Sequence, residues 1–179
     1  MDGAPDDGGI EPSKYSQLSL LRAPRSESLL LNPVERAATQ PENPFAKLIL
    51  DQSIAIIPSF TLESGVTLYN VPIAYSTRGR LSPNKANAMV ICHALTGSAD
   101  VSDWWGPLMG GPGRAFDLTR FFVVCLNSLG SPYGSASPVT SKDGDPNQER
   151  YGPEFPLTTI RDDVKYVCYS LPFRQASSG

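Results

Sequence analysis

Histidine occurs once in these 179 residues, at His93, and cysteine three times, at Cys92, Cys125 and Cys168. An odd number of widely spaced thiols argues against a disulfide framework, and two of them lie inside apolar runs, where free cysteine packs as a small hydrophobe. Asp100, Asp103 and Asp117 do not stand at metal-ligand spacing from His93, so no metal is expected. Cys92 and His93 are chain neighbours, and on a strand their side chains would leave opposite faces and could not form a thiol-imidazole pair. No apolar run approaches the roughly 20 residues that cross a bilayer. No basic run offers a track for a nucleic-acid backbone either, and the formal charge is -3, so neither membrane nor nucleic acid is an expected partner. The first eleven residues carry Asp2, Asp6, Asp7 and Glu11 without a Lys or Arg. That composition opposes a secretory signal or an Arg-rich transit peptide, and the expected compartment is the cytoplasm.

What is present suits one turn-rich globular core: 40% hydrophobic residues, 18% charged, 17 prolines and 15 glycines. Residues 1–45 hold two short leucine clusters, Leu18 to Leu21 and Leu29 to Leu31, in a Pro/Ser/Gly/Asp background without a sustained period. They read as a mostly disordered arm whose clusters are either amphipathic turns or docking points. Order is expected from about Lys47. Ile54 to Phe60 and Val66 to Tyr75, separated by the Glu63-Ser64-Gly65 turn signal, read as an antiparallel hairpin. Ala88 to Cys92 and Phe121 to Leu126 are short, apolar and followed by loops, the pattern of parallel strands buried on both faces. A helix, whole or broken, is expected between them around Gly106 to Asp117, which makes a βαβ unit. Ser131 to Pro156 is too long and too rich in Pro, Gly and Ser for a simple connection, and predicts an excursion over the sheet. Thr158 is a candidate N-cap for a helix from Ile160 to Tyr169, ended by Pro172. The expected organisation is therefore an arm over 1–45, an α/β domain over 46–169 and a tail over 170–179.

Several motifs occur in a fixed order. They are Leu62-Glu63-Ser64-Gly65; Ala74-Tyr75 with Thr77 and Gly79; Ile91-Cys92-His93-Ala94-Leu95-Thr96-Gly97-Ser98; Asp103-Trp104-Trp105-Gly106-Pro107-Leu108; Phe121 to Asn127; Gly130-Ser131-Pro132-Tyr133-Gly134-Ser135; Tyr151-Gly152-Pro153-Glu154-Phe155-Pro156; and Arg161-Asp162-Asp163-Val164. Over roughly Asn43 to Val164 this series resembles the homoserine O-acetyltransferase family of the α/β-hydrolase superfamily, especially its fungal members. The resemblance implies an incomplete α/β-hydrolase fold, the amino-terminal part only. It implies an acetyl transfer from acetyl-CoA, the co-substrate, to L-homoserine on the route to methionine, with no bound cofactor and with homodimers as the family's habit. A serine activated by a histidine would carry the acetyl group, and preorganised donors would hold the oxyanion.

One of those donors is implied within this chain. The loop after the third strand supplies an oxyanion-hole amide in this fold, and the resemblance puts it on the backbone N–H of Leu95, with His93, Thr96 and Gly97 shaping the motif. Gly97 would let the turn approach substrate. The residues alone also allow a tight buried turn at this place. Trp104 and Trp105 line the entrance to the site or pack the loop on the sheet. No G-x-S-x-G pattern and no Gly-Gly-Ser-Met-Gly-Gly type elbow occurs, and the family's catalytic histidine and acidic partner lie far downstream of His93. The nucleophile and its partners are therefore expected to be absent, and these residues alone to be inactive. After about Lys165 the sequence departs from the family pattern, as a frame change, retained intron or alternative exon would cause, and the third strand is left with a bare edge. Two alternatives remain: a related serine or deacetylcephalosporin O-acetyltransferase or esterase of the same fold, and a non-catalytic fragment that binds full-length subunits.

Overall fold

The computed structural model describes residues 40, 42–94 and 97–170, with the side chains of 169 and 170 left aside. The arm up to residue 39, both leucine clusters, Pro172 and the tail beyond 170 lie outside the described residues. Packing reaches back to Gln40, earlier than Lys47. Gln40 and Asn43 are buried because their amides find acceptors in the excursion, Gln40 on the Gly134 carbonyl at 2.7 Å and Asn43 on the Pro132 carbonyl at 2.9 Å.

The hairpin forms as its β-branched residues require. Strands β1 (Ser53–Thr61) and β2 (Thr67–Arg78) pair antiparallel, with Ile57 opposite Val71 and Phe60 opposite Leu68. The connection closes through Gly65, whose φ of +86° suits glycine. Strand β3 (Ala88–Ile91) is followed by a short helix α1 (Val101–Trp105), two-residue strands β4 (Met109–Gly110) and β5 (Phe116–Asp117), and strand β6 (Phe122–Leu126). The main sheet has the order β1-β2-β6-β3, with β6 antiparallel to β2 and parallel to β3.

Two expectations for this segment are corrected. The helix expected around Gly106 to Asp117 lies earlier, at α1, which is capped by Asp100 accepting from the Ser102 amide. Pro107 starts a single 3-10 turn instead, and Gly113 at φ +90° helps turn the chain back so that β4 and β5 pair. The strand buried on both faces is β6 rather than β3. On β6, Val124 and Leu126 enter one core and Val123 and Cys125 the other. β3 has a single strand neighbour among the described residues, and its Val90 stays 42% exposed. Both runs look alike in sequence; their place in the sheet distinguishes them.

The excursion after β6 folds over β2. Ser135 Oγ donates to the Asn127 carbonyl and accepts from the Ala74 amide, and the Ala136 amide donates to the Pro72 carbonyl. Helix α2 (Ile160–Ser170) then crosses the same face. Its cap is Thr159 rather than Thr158. Thr159 Oγ1 accepts from the Asp162 amide at 3.2 Å while Asp162 Oδ2 accepts from the Thr159 amide at 2.9 Å, a reciprocal box. The helix turns Asp162 and Tyr166 inward, both with no exposed surface, whereas Ile160 and Val164 face out. Tyr166 meets Phe60 edge-on at 5.6 Å between ring centroids and donates its hydroxyl to the Pro72 carbonyl. No helix among the described residues is long and apolar enough to cross a membrane.

Candidate functional site: the loops beyond the parallel strands

In open α/β sheets ligands bind outside the carboxyl ends of the parallel strands. Here that region is built by the loop after β3 and the turn after β6. The β3 loop closes with the Gly97 amide donating to the Ala94 carbonyl at 2.8 Å. Leu95, singled out for the oxyanion role, and Thr96, expected to shape the motif, lie outside the described residues. Gly97 is needed for a reason the sequence did not suggest: a Cβ there would stand 2.9 Å from the Trp104 ring and 3.1 Å from the Ala94 carbonyl oxygen. Close approach to Trp104 is what this glycine permits. Trp105 stacks on Phe116 at 5.5 Å with an interplanar angle of 10°, and packs into the core on the β3 side. Of the two readings of the tryptophan pair, packing accounts for Trp105.

His93 is half-buried, and both ring nitrogens face backbone groups: Nδ1 lies 2.7 Å from the Ala94 carbonyl oxygen, and Nε2 lies 3.3 Å from the Ser128 amide nitrogen. It is not poised as a base for Cys92. The next amide of the same turn, Leu129 N–H, donates to Asp163 Oδ1 at 2.9 Å. Burial pushes the Asp163 carboxyl above its ordinary range, partly offset by that amide, by His93 whenever its imidazole carries a positive charge, and by the Ser128 hydroxyl. Its neighbour Asp162 is wholly buried and accepts from the Glu63 amide at 2.8 Å besides capping α2. Thus the Asp162-Asp163 pair ties the helix to the hairpin turn on one side and to the β6 turn on the other. Sequence reading named these residues as motif members but gave them no task. Residues 34 or 35 positions apart in the chain carry no local signal that they meet.

At the end of β6, Asn127 is completely buried, its main chain engaged by Ala74 and Ser135. Neither atom of its side-chain amide has a hydrogen-bond partner among the described residues. Cys125, beneath it, is buried, and desolvation pushes its thiol up to about 12. A separate cleft of about 280 Å³ opens between Asp51, Gln52, Ser76 and Arg78. Its arginine pairs with Asp51 and stands 3.8 Å from Asp100, so its charge is matched, and the cleft lies on the β1–β2 side. Among the described residues no three His, Cys, Asp or Glu side chains are gathered as a metal ion would require. Asp100 and Asp117 serve as local caps, Asp117 accepting from the Thr119 amide and hydroxyl.

No protein-family model matches the chain. Individual relatives do. It is 76% identical over 132 residues to the homoserine O-acetyltransferase of Emericella nidulans, a match covering 74% of this chain and 27% of that protein. The fold is similar to a crystal structure of homoserine O-acetyltransferase from Bacillus anthracis, with TM-score 0.57 and 26% identity over 66% of this chain and 35% of that one. It is similarly close to esterase E22, with TM-score 0.56 and 28% identity over 66% and 36%. Backbone likeness alone therefore does not separate a transferase from an esterase. The chain spans about a quarter of the length of the curated relatives it matches. Over about three quarters of its length the chain is similar in sequence to fungal homoserine O-acetyltransferases, on strands arranged as in the α/β-hydrolases.

Proposed function

We propose that these 179 residues are the amino-terminal part of a homoserine O-acetyltransferase and carry the scaffold and the oxyanion side of its active site. In this reading a serine supplied from outside these motifs attacks the acetyl-CoA carbonyl, the CoA thiol leaves, and the homoserine hydroxyl then takes the acetyl group from the serine ester. The Leu95 amide is one of the donors that hold the oxyanion at each tetrahedral stage. Support comes above all from the 76% identity to the Emericella nidulans relative, which extends through the motif that contains this loop. The same reading assigns a cytoplasmic, methionine-forming enzyme that dimerises. It also has the 179-residue polypeptide inactive on its own, since the sequence holds no elbow serine and His93 has both ring nitrogens against backbone.

The test is CoA release from acetyl-CoA, with and without homoserine. It uses the 179-residue polypeptide and a chimera in which its matching segment replaces the corresponding 132 residues of the Emericella nidulans relative. Homoserine-dependent release by the chimera alone is the expected result. Release that ignores homoserine would make the segment part of an esterase, and activity of the polypeptide by itself would reveal a nucleophile among these residues. The edge of β3 that has no strand neighbour among the described residues, with Val90 partly exposed, favours one other reading, a non-catalytic product that pairs with full-length subunits. Failure to co-purify with such a subunit at micromolar concentration would sink it.

A further inference from the structure

We propose that His93 is a positioning residue working in a single tautomer: a neutral imidazole, protonated on Nδ1, that latches the loop after β3 to the turn after β6. Asp163 of α2 grips the next amide of that turn. The assignment rests on the reading above only for its consequence, the placement of the oxyanion loop.

The tautomer follows from the partners. A backbone amide can only donate, so Nε2, 3.3 Å from the Ser128 nitrogen, must present its lone pair. A carbonyl oxygen can only accept, so Nδ1, 2.7 Å from the Ala94 oxygen, must carry the hydrogen. Both contacts demand the same form, and it is the one that a free imidazole in water does not favour. One bond is to the adjacent residue and orients the Ala94 peptide, which leads into the loop; the other reaches 35 positions along the chain. Leu129, next to Ser128, donates to Asp163 Oδ1 at 2.9 Å, 34 positions further on. Two successive amides of one turn are therefore held from two sides, by the β3 loop and by the first turn of α2. Three elements meet through backbone groups that would otherwise be part-buried without partners. Neither ring nitrogen of His93 is left free to exchange a proton with a substrate. What His93 contributes to chemistry is geometry: it fixes where the peptide after β3 stands relative to the end of β6.

Because His93 is the sole histidine, long-range proton-nitrogen NMR on the uniformly 15N-labelled 179-residue chain sees one imidazole. At a pH of about 8, above the ordinary imidazole titration range, Nδ1 should resonate as protonated and Nε2 as unprotonated. In His93→Gln the side-chain oxygen can still accept from Ser128, whereas His93→Phe keeps the ring without an acceptor. Ser128 amide exchange should quicken about tenfold in His93→Phe, stay within about threefold of the parent in His93→Gln, and be matched by a rise of about tenfold at Leu129 in Asp163→Ala. An imidazole protonated on Nε2 in the parent overturns the proposal, as does Ser128 exchange unchanged by His93→Phe. Should the phenylalanine variant not fold, the parent spectrum alone decides. These readouts involve no acyl transfer, so an inactive chimera beside the expected tautomer would sink the functional reading and leave the latch standing.

Discussion

Removing the Asp162 carboxylate should detach α2 from the hairpin. Its two oxygens take the Glu63 amide at 2.8 Å and the Thr159 amide at 2.9 Å, from a side chain with no exposed surface. A hydrogen bond to a charged group contributes about 1.5–3 kcal/mol, and loss of a helix cap costs about 1 kcal/mol. Asp162→Ala also leaves the Glu63 amide without its acceptor, although water can reach this part-buried group. We expect a net loss of about 3 kcal/mol, which for a domain of this size lowers the melting midpoint by roughly 10 °C. Asp162→Asn keeps one carbonyl oxygen for Glu63 but turns an NH2 group toward the Thr159 amide, and should cost about half as much. Val164→Ala, on the outward face of the same helix at 58% exposure, serves as the control and should scarcely move the midpoint. The assay is circular dichroism melting of the three variants beside the parent. An alanine variant within about 2 °C of the parent would refute the claim that this carboxylate anchors the helix.

Four further outcomes follow from the packing. Under native conditions a thiol reagent should modify Cys92 and Cys168, which are exposed, and spare Cys125, which is buried with its thiol pushed up to about 12; three equivalents reacting at one rate would contradict this. Asp163 has its folded-state pKa raised by burial, so its contribution to stability is full below the unfolded carboxyl value and is lost as pH rises through the folded one. Asp163→Asn, whose side-chain oxygen can still accept from Leu129, should therefore gain on the parent as pH climbs above the ordinary carboxyl value, and a variant midpoint that falls relative to the parent's over that range would reverse the sign of the argument. Gly79→Ala should cost about 2–4 kcal/mol, because at φ +78° the new Cβ would stand 2.3 Å from the Phe121 carbonyl oxygen, backbone that leads directly into β6; urea denaturation measures it, and a change under about 1 kcal/mol would be inconsistent. Asn127→Leu removes a buried amide without partners among the described residues and should be neutral or stabilising by up to about 2 kcal/mol; a clear loss of stability would mean that the amide is satisfied after all.

Much of the scaffold was legible because its signals are local. The β-branched, apolar run Ile54 to Phe60, the Gly65 turn and the apolar run into Leu126 specify strands through sterics and composition alone, and the hairpin formed with boundaries shifted by only one to three residues. The resemblance carried by the ordered motifs was likewise a property of the linear sequence, and so was the absence of an elbow serine. Three things were decided by tertiary structure. β3 and β6 are equally apolar, yet only β6 is flanked on both edges and covered on both faces, because burial belongs to a strand's place in the sheet and not to its composition. Asp162 and Tyr166 became the inward face of α2 while Ile160 and Val164 turned outward, because the hairpin turn offered amides for a carboxylate to satisfy. His93, Ser128, Leu129 and Asp163 joined into one hydrogen-bonded cluster although chain separations of 34 and 35 residues leave no periodic trace of it. Sequence determines what each short segment can be, since torsional preference and apolar period act over a few residues; which donor meets which acceptor is settled only when the folded chain brings distant backbone groups out of water together.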